Sequence, residues 1–448
     1  MKRRAKALIW GCVGILAFVL GICFLTRLTD PKHSYARNKE FVENREGYDV
    51  LFFGNSHMAN GVHPMELWHE QGITSYNLAG FGYPIPSTYW VVKNALDTAS
   101  PELVVLDCNN VRSDGKSARP EMLHGQVDYL PLNLNKVRMI CDVVEEPEDR
   151  LEFLWDFAVY HDRWWDLDQE DFEPVINVQK GAEIAFDVVA PAEMSQKPER
   201  AVDIESTGTA YLRRIIEECQ SRNIEILLTY LPFPATEEQW QEAVYVERLA
   251  REYGVSYINF LDLEVVDLEV DCSDKNSHLN GSGGRKVTSY IGQYIEEHYE
   301  IADHRAEEAY AGWNEDYRRY TEYKLGIMEN LETLDKYLMM CADPAFDCSI
   351  YVSGKACIWE QNKLYMPLID NVAGGKAARL AEAAALGEDY FLVVDNQAGC
   401  FYEGLGADDL FEVPEKEEAA VYIVVKNGQD GSVVGTKRFD NSLLISTE

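Results

Sequence analysis

Asp49-Val-Leu-Phe-Phe-Gly-Asn-Ser-His57 decides how this chain is read. Val50–Phe53 is an apolar run closed by a glycine, the pattern of a short strand buried on both faces. A serine just beyond such a strand stands at the carboxyl edge of a sheet, where open α/β folds bind their ligands. The turn is not the G-x-S-x-G elbow, because residue 58 is Met. Taken alone, Gly54-Asn55-Ser56-His57 reads first as a turn or cap.

Working outward, apolar strand candidates alternate with helical stretches. Val50–Phe53 is followed by a helix over Pro64–Gln71, and Ser75–Leu78 by a helix within Pro86–Ala99. Leu103–Asp107 is a third strand. Leu212, Ile215, Ile216 and Cys219 repeat at i, i+3, i+4, i+7 and predict a helix over Tyr211–Arg222. The strands Ile224–Thr229 and Ser256–Asn259 flank a helix over Thr236–Tyr253 that Gly254 ends. Val287, Tyr290, Ile291, Tyr294 and Ile295 form the stripe of a last helix. This alternation predicts a five-stranded parallel sheet covered on both faces, a three-layer α/β/α sandwich of flavodoxin-like type over residues 45–304.

Residues 113–200 interrupt the rhythm with an acidic, aromatic run around Tyr160-His-Asp-Arg-Trp-Trp165. This insertion reads as a lid or substrate wall, with His161 and Trp164 as substrate contacts, or as a helical excursion packed through its tryptophans. Beyond residue 305 the character changes. A polar, tyrosine-rich helical linker (305–340) precedes β-like runs at Cys348–Trp359, Tyr390–Tyr402 and Ala419–Phe439. The last run folds back through Asn427-Gly-Gln-Asp-Gly431, a hairpin signal. Residues 341–448 are therefore expected to form a separate β-rich domain.

The N-terminus predicts a membrane anchor. Lys2, Arg3, Arg4 and Lys6 precede Ala7–Thr26, twenty residues without a formal charge. Such a helix spans roughly 30 Å, enough for the hydrocarbon core. The basic flank of residues 1–28 places the N-terminus in the cytoplasm and the bulk of the chain outside. A cleaved signal peptide is the competing reading, but no A-x-A-like site follows. Cys23 has Ile22 where a lipoprotein box wants a small residue.

The 448 residues carry 41 basic and 76 acidic side chains, a formal net charge of −35. Setting aside the four N-terminal cations leaves 37 against 76, or −39. That field repels nucleic acid and anionic lipid and promotes solubility. The ten cysteines show no C-x-x-C and no zinc-like spacing, so no metal site is signalled. Cys341 and Cys348 are near enough in sequence for a disulfide, which the sequence leaves open.

A second segment changes the weight of Ser56. Asp274-Lys-Asn-Ser-His-Leu-Asn280 precedes the last helix and brings His278 to the same sheet edge. A serine needs a base to take its proton and a third group to orient that base. His278 is the candidate base, and Asp274, four positions earlier, can accept its other ring proton. His57, adjacent to the serine, reads as a hydrogen-bonding or substrate contact, and His63 before Pro64 as structural.

Gly54-Asn-Ser-His57, Tyr76-Asn-Leu-Ala-Gly-Phe-Gly82 and Ser277-His-Leu-Asn280 resemble the blocks of the SGNH (GDSL-like) hydrolase superfamily. The resemblance covers about residues 45–300 apart from the insertion. It is nearest the membrane-anchored branch, with the alginate O-acetyltransferases and the D-alanine transfer protein of teichoic-acid modification. It implies Ser56 as nucleophile, His278 as base, Asp274 as orienting acid, and the backbone N–H groups of Ser56 and Gly82 as oxyanion donors. The family's acid usually stands three residues before the histidine, where this chain has Lys275; Asp274 and Asp271 are the candidates here. In the family's third block Asp107-Cys-Asn-Asn110 offers Asn109 or Asn110 as a side-chain oxyanion donor. No cofactor is expected. The partners the resemblance implies are a cell-surface polysaccharide or wall polymer and a multi-pass membrane O-acyltransferase. The rival expectation is a non-enzymatic SGNH-fold scaffold or glycan-binding protein of a membrane polymer-modification complex, its β-rich tail the adhesive part; a third is that the tail is a carbohydrate-binding module.

Overall fold

The computed structural model describes residues 2–29, 36–43, 47–155, 157–172, 177–198, 202–276, 278–360, 362–396, 398–406, 413 and 420–441. Helix α1 (Lys2–Thr29) contains the window Ile9–Thr26, which is long and apolar enough to cross a membrane.

Five parallel strands follow: β1 (Val50–Phe53), β2 (Ser75–Asn77), β3 (Leu103–Asp107), β4 (Glu225–Tyr230) and β5 (Ser256–Asn259). Their order is β2-β1-β3-β4-β5, with Phe52 opposite Asn77 on one side and Val105 on the other. Side chains alternate between two cores, as the two-residue period of a strand requires. Val50, Phe52, Leu103, Val105, Leu227 and Ile258 enter one core; Leu51, Phe53, Val104, Leu106, Ile226 and Leu228 enter the other. The first face is covered by α3 (Pro64–Gln71) and α7 (Gly281–His298), the second by α4 (Ile85–Leu96), α5 (Thr207–Ser221) and α6 (Glu237–Tyr253). Ser206 and Thr236 close capping boxes at the starts of α5 and α6, satisfying amides that have no acceptor within the helix. The chain reverses direction across the sheet between β1 and β3. This switch point is where such a sheet opens a crevice beyond its strand ends, and a six-residue helix, α2 (Ser56–Gly61), starts there.

The insertion has two parts. Its first half is short helices, among them Pro120–Val127 and Leu134–Val143, ending in 3-10 turns at His161–Trp165 and Glu170–Phe172. Its second half is an irregular strap across the carboxyl edge of the sheet. Glu183 N–H donates to the Ala59 carbonyl at 2.9 Å, Val189 to Cys272 at 3.0 Å, Ala192 to Lys275 at 2.7 Å and Ser195 to Ala235 at 2.8 Å. The strap finds in its neighbours the hydrogen bonds it does not make itself.

The C-terminal sheet is antiparallel, with β6 (Phe346–Val352), β7 (Tyr390–Asp395), β8 (Cys400–Leu405), β9 (Val421–Asn427) and β10 (Val433–Phe439) in the order β10-β9-β6-β7-β8. The hairpin through Asn427–Gly431 joins β9 to β10. The β-like run Tyr390–Tyr402 covers two strands, reversed before Cys400 by a turn holding Gly399 at φ +61°. The expected linker helix is also two, α8 (Ala311–Asn330) and α9 (Leu334–Cys341). Helices α10 (Asn362–Val372) and α11 (Leu380–Leu386) add to the sheet's core through Leu368, Ile369, Leu380 and Ala383. Cys341 and Cys348 are buried free thiols, with the Cys348 Sγ 3.6 Å from the Cys341 carbonyl.

Candidate active site

Gly54 turns the chain out of β1 at φ +152°, and a Cβ there would stand 3.0 Å from the Asp107 Cβ. Only glycine fits that approach at that dihedral without strain. Asn55 then caps α2, its Oδ1 accepting from His57 N–H at 3.0 Å. Ser56 is the first residue of the helix, so its own N–H is among those with no acceptor in the helix.

The partner comes from the loop before α7. Cys272 and Leu279 form a β-bridge that closes this loop into a tight reversal. Asn280 caps α7, accepting from Ser282 and Gly283 N–H, each at 3.1 Å, and its amide donates to the Val270 carbonyl at 2.7 Å. The strap bonds at Cys272 and Lys275 brace the loop from outside. His278 is thereby held so that the Ser56 hydroxyl donates to its Nε2 at 2.7 Å, and its Nδ1 pairs with Asp274 Oδ2. Asp274 Oδ1 accepts the Asn276 N–H at 2.8 Å, which orients the carboxylate. Two sequence segments far apart along the chain thus form one hydrogen-bonded series, hydroxyl to imidazole to carboxylate. The His278 side chain is 26% and the Asp274 side chain 42% exposed, so the series lies open at the sheet's rim.

Asp271, the other candidate acid, goes elsewhere. It is fully buried, accepts the Asp267 N–H at 2.8 Å and pairs with Lys286 at 2.7 Å. Its work is to hold the loop against α7.

His57, expected as a hydrogen-bonding or substrate contact, is buried beside the histidine of the series. It is 8% exposed, with its ring edge-on to Phe233 at 4.5 Å and to His278 at 5.7 Å. Its buried Nδ1 has no hydrogen-bond partner among the described residues. Burial first, and the neighbouring His278 second, push its pKa down to about 3, so the ring is neutral. His63 is buried, with Nε2 3.0 Å from the Asn60 carbonyl, a packing role.

Asn109 is 4% exposed and belongs to a relay behind the turn. Asn55 Nδ2 donates to Asn109 Oδ1 at 3.2 Å, Asn109 Nδ2 to the Tyr230 hydroxyl at 3.4 Å, and that hydroxyl to Glu242 at 3.3 Å. Asn110 contributes its backbone N–H to Glu242 at 3.1 Å. Gly82 lies in an exposed turn at φ +68°, and Gly80 N–H donates to the Gly54 carbonyl at 3.3 Å, so this loop sits over the serine turn. Phe81 in the same loop is 6.4 Å from His278, ring to ring. Ser277, quoted in the sequence motif, lies outside the described residues.

His161 and Trp164 are not drawn into this constellation. His161 Nδ1 pairs with the Ala158 carbonyl, and the Trp164 ring lies tilted against Trp165 in a turn that packs on α1. The part of the insertion that reaches the rim is the strap, whose lack of periodicity left no signal in the sequence. Sequence reading also missed Asn55, Tyr230 and Glu242; the asparagine stood in the quoted motif, while the other two are joined to it only by folding.

Asp107 backs the site with a testable electrostatic signature. Its Oδ1 accepts the Leu231 N–H at 3.0 Å and its Oδ2 has no partner among the described residues. Burial pushes its pKa up to about 7 despite backbone donors that pull it down. A carboxyl raised on folding contributes stability that is complete below about pH 4 and is lost as pH rises through about 7. Asp107→Asn is expected to flatten that loss, gaining roughly 2–4 kcal/mol relative to the parent between pH 4 and pH 8. Urea midpoints across that range measure it; parallel pH profiles would disprove the assignment.

No family model and no curated protein matches the chain. Among solved structures it is similar to a protein described as lipolytic and of the G-D-S-L family from Desulfitobacterium hafniense, at 12% identity over 55% of this chain and 97% of that one, TM-score 0.30. A GDSL-like lipase from Bacteroides thetaiotaomicron matches at 14% identity over 59% and 98%, TM-score 0.30. A protein described as an acylhydrolase from Bacteroides fragilis matches at 11% identity over 60% and 99%, TM-score 0.31. The fold assignment itself stands on the strand order and register of this chain's own sheet.

Proposed function

We propose that this chain is an extracytoplasmic, membrane-anchored serine esterase or O-acyltransferase acting on acyl esters of a cell-surface glycan or wall polymer. The observation that carries the reading is the 2.7 Å contact between Ser56 Oγ and His278 Nε2, with Asp274 on the other ring nitrogen. Ser56 attacks the ester carbonyl while His278 takes its proton, and Asp274 stabilises the imidazolium. The backbone N–H groups of Ser56 and Gly82, with the Asn109 amide behind them, are the candidate oxyanion donors. His278 then returns the proton to the departing alkoxide, leaving an acyl-serine. Water ends the cycle in an esterase, a sugar hydroxyl in a transferase. The openness of the rim supports a bulky polymer substrate, and the apolar α1 with its basic flank supports a single-pass anchor with the domain outside. A multi-pass membrane O-acyltransferase is the matching acyl donor partner.

A second reading, a polymer-holding scaffold, draws on one observation. A cavity of about 1200 Å³ is lined by Arg285, Lys286, Lys363, Lys376, Asp370 and Phe401 among others, and none of Ser56, Asp274 and His278 lines it. The two readings separate on a single experiment. The full chain treated with a fluorophosphonate should become labelled at Ser56, with the label lost in Ser56→Ala. A folded chain that stays unlabelled would leave the scaffold as the function.

A further inference from the structure

Four large aromatic side chains within residues 155–172 are left in water: Trp155 is 41%, Trp164 53%, Trp165 74% and Phe172 70% exposed. The Trp164 and Trp165 rings lie 3.9 Å apart, and Trp155 is 5.6 Å from Phe157. Exposed apolar surface of this density marks an interaction face. Its location says what covers it. The turn His161–Trp165 packs against the outer end of α1. Arg163 Nη1 donates to the Thr29 carbonyl at 2.9 Å, and its Nη2 donates to Asp171 Oδ1 at 2.9 Å. One guanidinium therefore fastens both aromatic turns, that of the tryptophans and that of Phe172, to the last turn of α1. A cation there also complements the helix's negative end.

The depth follows from helix geometry. The apolar window of α1 ends at Thr26, and Thr29 lies about 5 Å further along the axis. The rings are thus pinned at the level where hydrocarbon gives way to headgroups, the layer in which tryptophan is enriched. Asp162, Asp166 and Asp168 in the same stretch are exposed, so the face is acidic apart from its rings and Arg163. Anionic headgroups would be repelled, which leaves the aromatic rings and a zwitterionic lipid surface as the compatible contact.

We propose that this aromatic turn is a second membrane contact, seating its rings in the zwitterionic interfacial layer of the same bilayer that α1 crosses. The proposal rests on α1 being the anchor. It has a consequence for the site. Arg37 donates to the Ala79 carbonyl and lies 6.0 Å from the Phe81 ring, which neighbours His278. The chain between Thr29 and Arg37 can extend to at most about 30 Å. With the turn seated, the serine rim stays in one orientation close to the lipid surface.

The test uses the full chain in phosphatidylcholine vesicles with plain or brominated acyl chains, reading tryptophan quenching. Trp10→Phe removes the anchor's own fluorophore; the buried Trp68, Trp90 and Trp240, the half-buried Trp313 and Trp359 and the 41% exposed Trp155 form the background. Quenching is expected to persist in Trp10→Phe and to be mostly lost when Trp164→Phe and Trp165→Phe are added, with far-ultraviolet dichroism and thermal midpoint unchanged because both rings are exposed. Retention of the protein on vesicles after alkaline wash, with quenching unaffected by the two added substitutions, overturns the proposal and leaves the anchor standing. Release of the parent chain by the wash overturns the anchor and the proposal together. A face attracted by charge instead would bind more strongly as anionic lipid is added, which also overturns it.

Discussion

His278→Ala is expected to lower ester turnover by about ten-thousand-fold or more, as loss of the base does in enzymes that use a serine nucleophile. Ser56→Ala should match it, because hydroxyl and imidazole act as one unit and their losses do not add. The acid position sharpens the test. Asp274→Asn keeps the shape of the side chain but cannot hold the Nδ1 proton in the same way. A loss of about 10²–10⁴-fold in kcat is expected, with thermal midpoint little changed since the carboxylate is 42% exposed. Asp271→Asn should do the reverse, because its carboxylate is buried against Lys286. It lowers stability by removing half of a buried ion pair and spares the rate constant at temperatures where the protein is folded. If Asp271→Asn abolished turnover in folded protein while Asp274→Asn left it intact, the roles assigned to the two carboxylates would be exchanged.

Lys324→Met is expected to cost about 3–5 kcal/mol of stability. Lys324 on α8 is 2% exposed, with Nζ 2.8 Å from Glu66 Oε1 on α3 and 2.7 Å from Asp343 Oδ2. Burial alone would push the Glu66 carboxyl up; the ammonium beside it outweighs burial and holds it at about 2. Without the cation, two carboxylates remain inside with nothing to offset their desolvation. A carboxyl depressed on folding contributes stability that is present above about pH 4.3 and lost as pH falls through about 2. In Lys324→Met that acid-side dependence should disappear, and adding Glu66→Gln should recover part of the loss. Chemical denaturation of the three proteins between pH 3 and pH 7 measures this. Equal midpoints for parent and Lys324→Met would show that the cluster is not holding α8 to the core. Fluorophosphonate labelling of Ser56 should survive the substitution, since no hydrogen bond of the serine–histidine series passes through Lys324.

The largest divergence between sequence pattern and structure lies past residue 340. Helix α10 escaped notice because Pro367 falls within it, and proline inside an apolar run reads as a breaker. Here it is the sixth of eleven residues, past the first turn, so the helix keeps its course with one backbone donor missing. Helix α11 is only seven residues long, too short for a 3.6-residue period to declare itself. The strand boundaries of the parallel sheet, by contrast, were legible to within a residue or two. β1, β3 and β4 are built on apolar runs, Val50–Phe53, Leu103–Leu106 and Ile226–Leu228, that charged or turn-forming residues bound.

The order of residues in the chain was sufficient for whatever depends on near neighbours. It determined the apolar N-terminal helix, the five parallel strands, the faces of the covering helices, and the delivery of Ser56 and His278 to one sheet edge. Periodicity and capping are local, and the parallel connection rule carries them to topology. Tertiary structure alone decided between Asp274 and Asp271, buried His57, joined Asn55 to Glu242 through Tyr230, drew Glu66 to Lys324 and pinned the tryptophan turn to Thr29. Those outcomes depend on distance and desolvation between groups remote in the chain, and a side chain's chemistry does not disclose which distant partner will take it out of water.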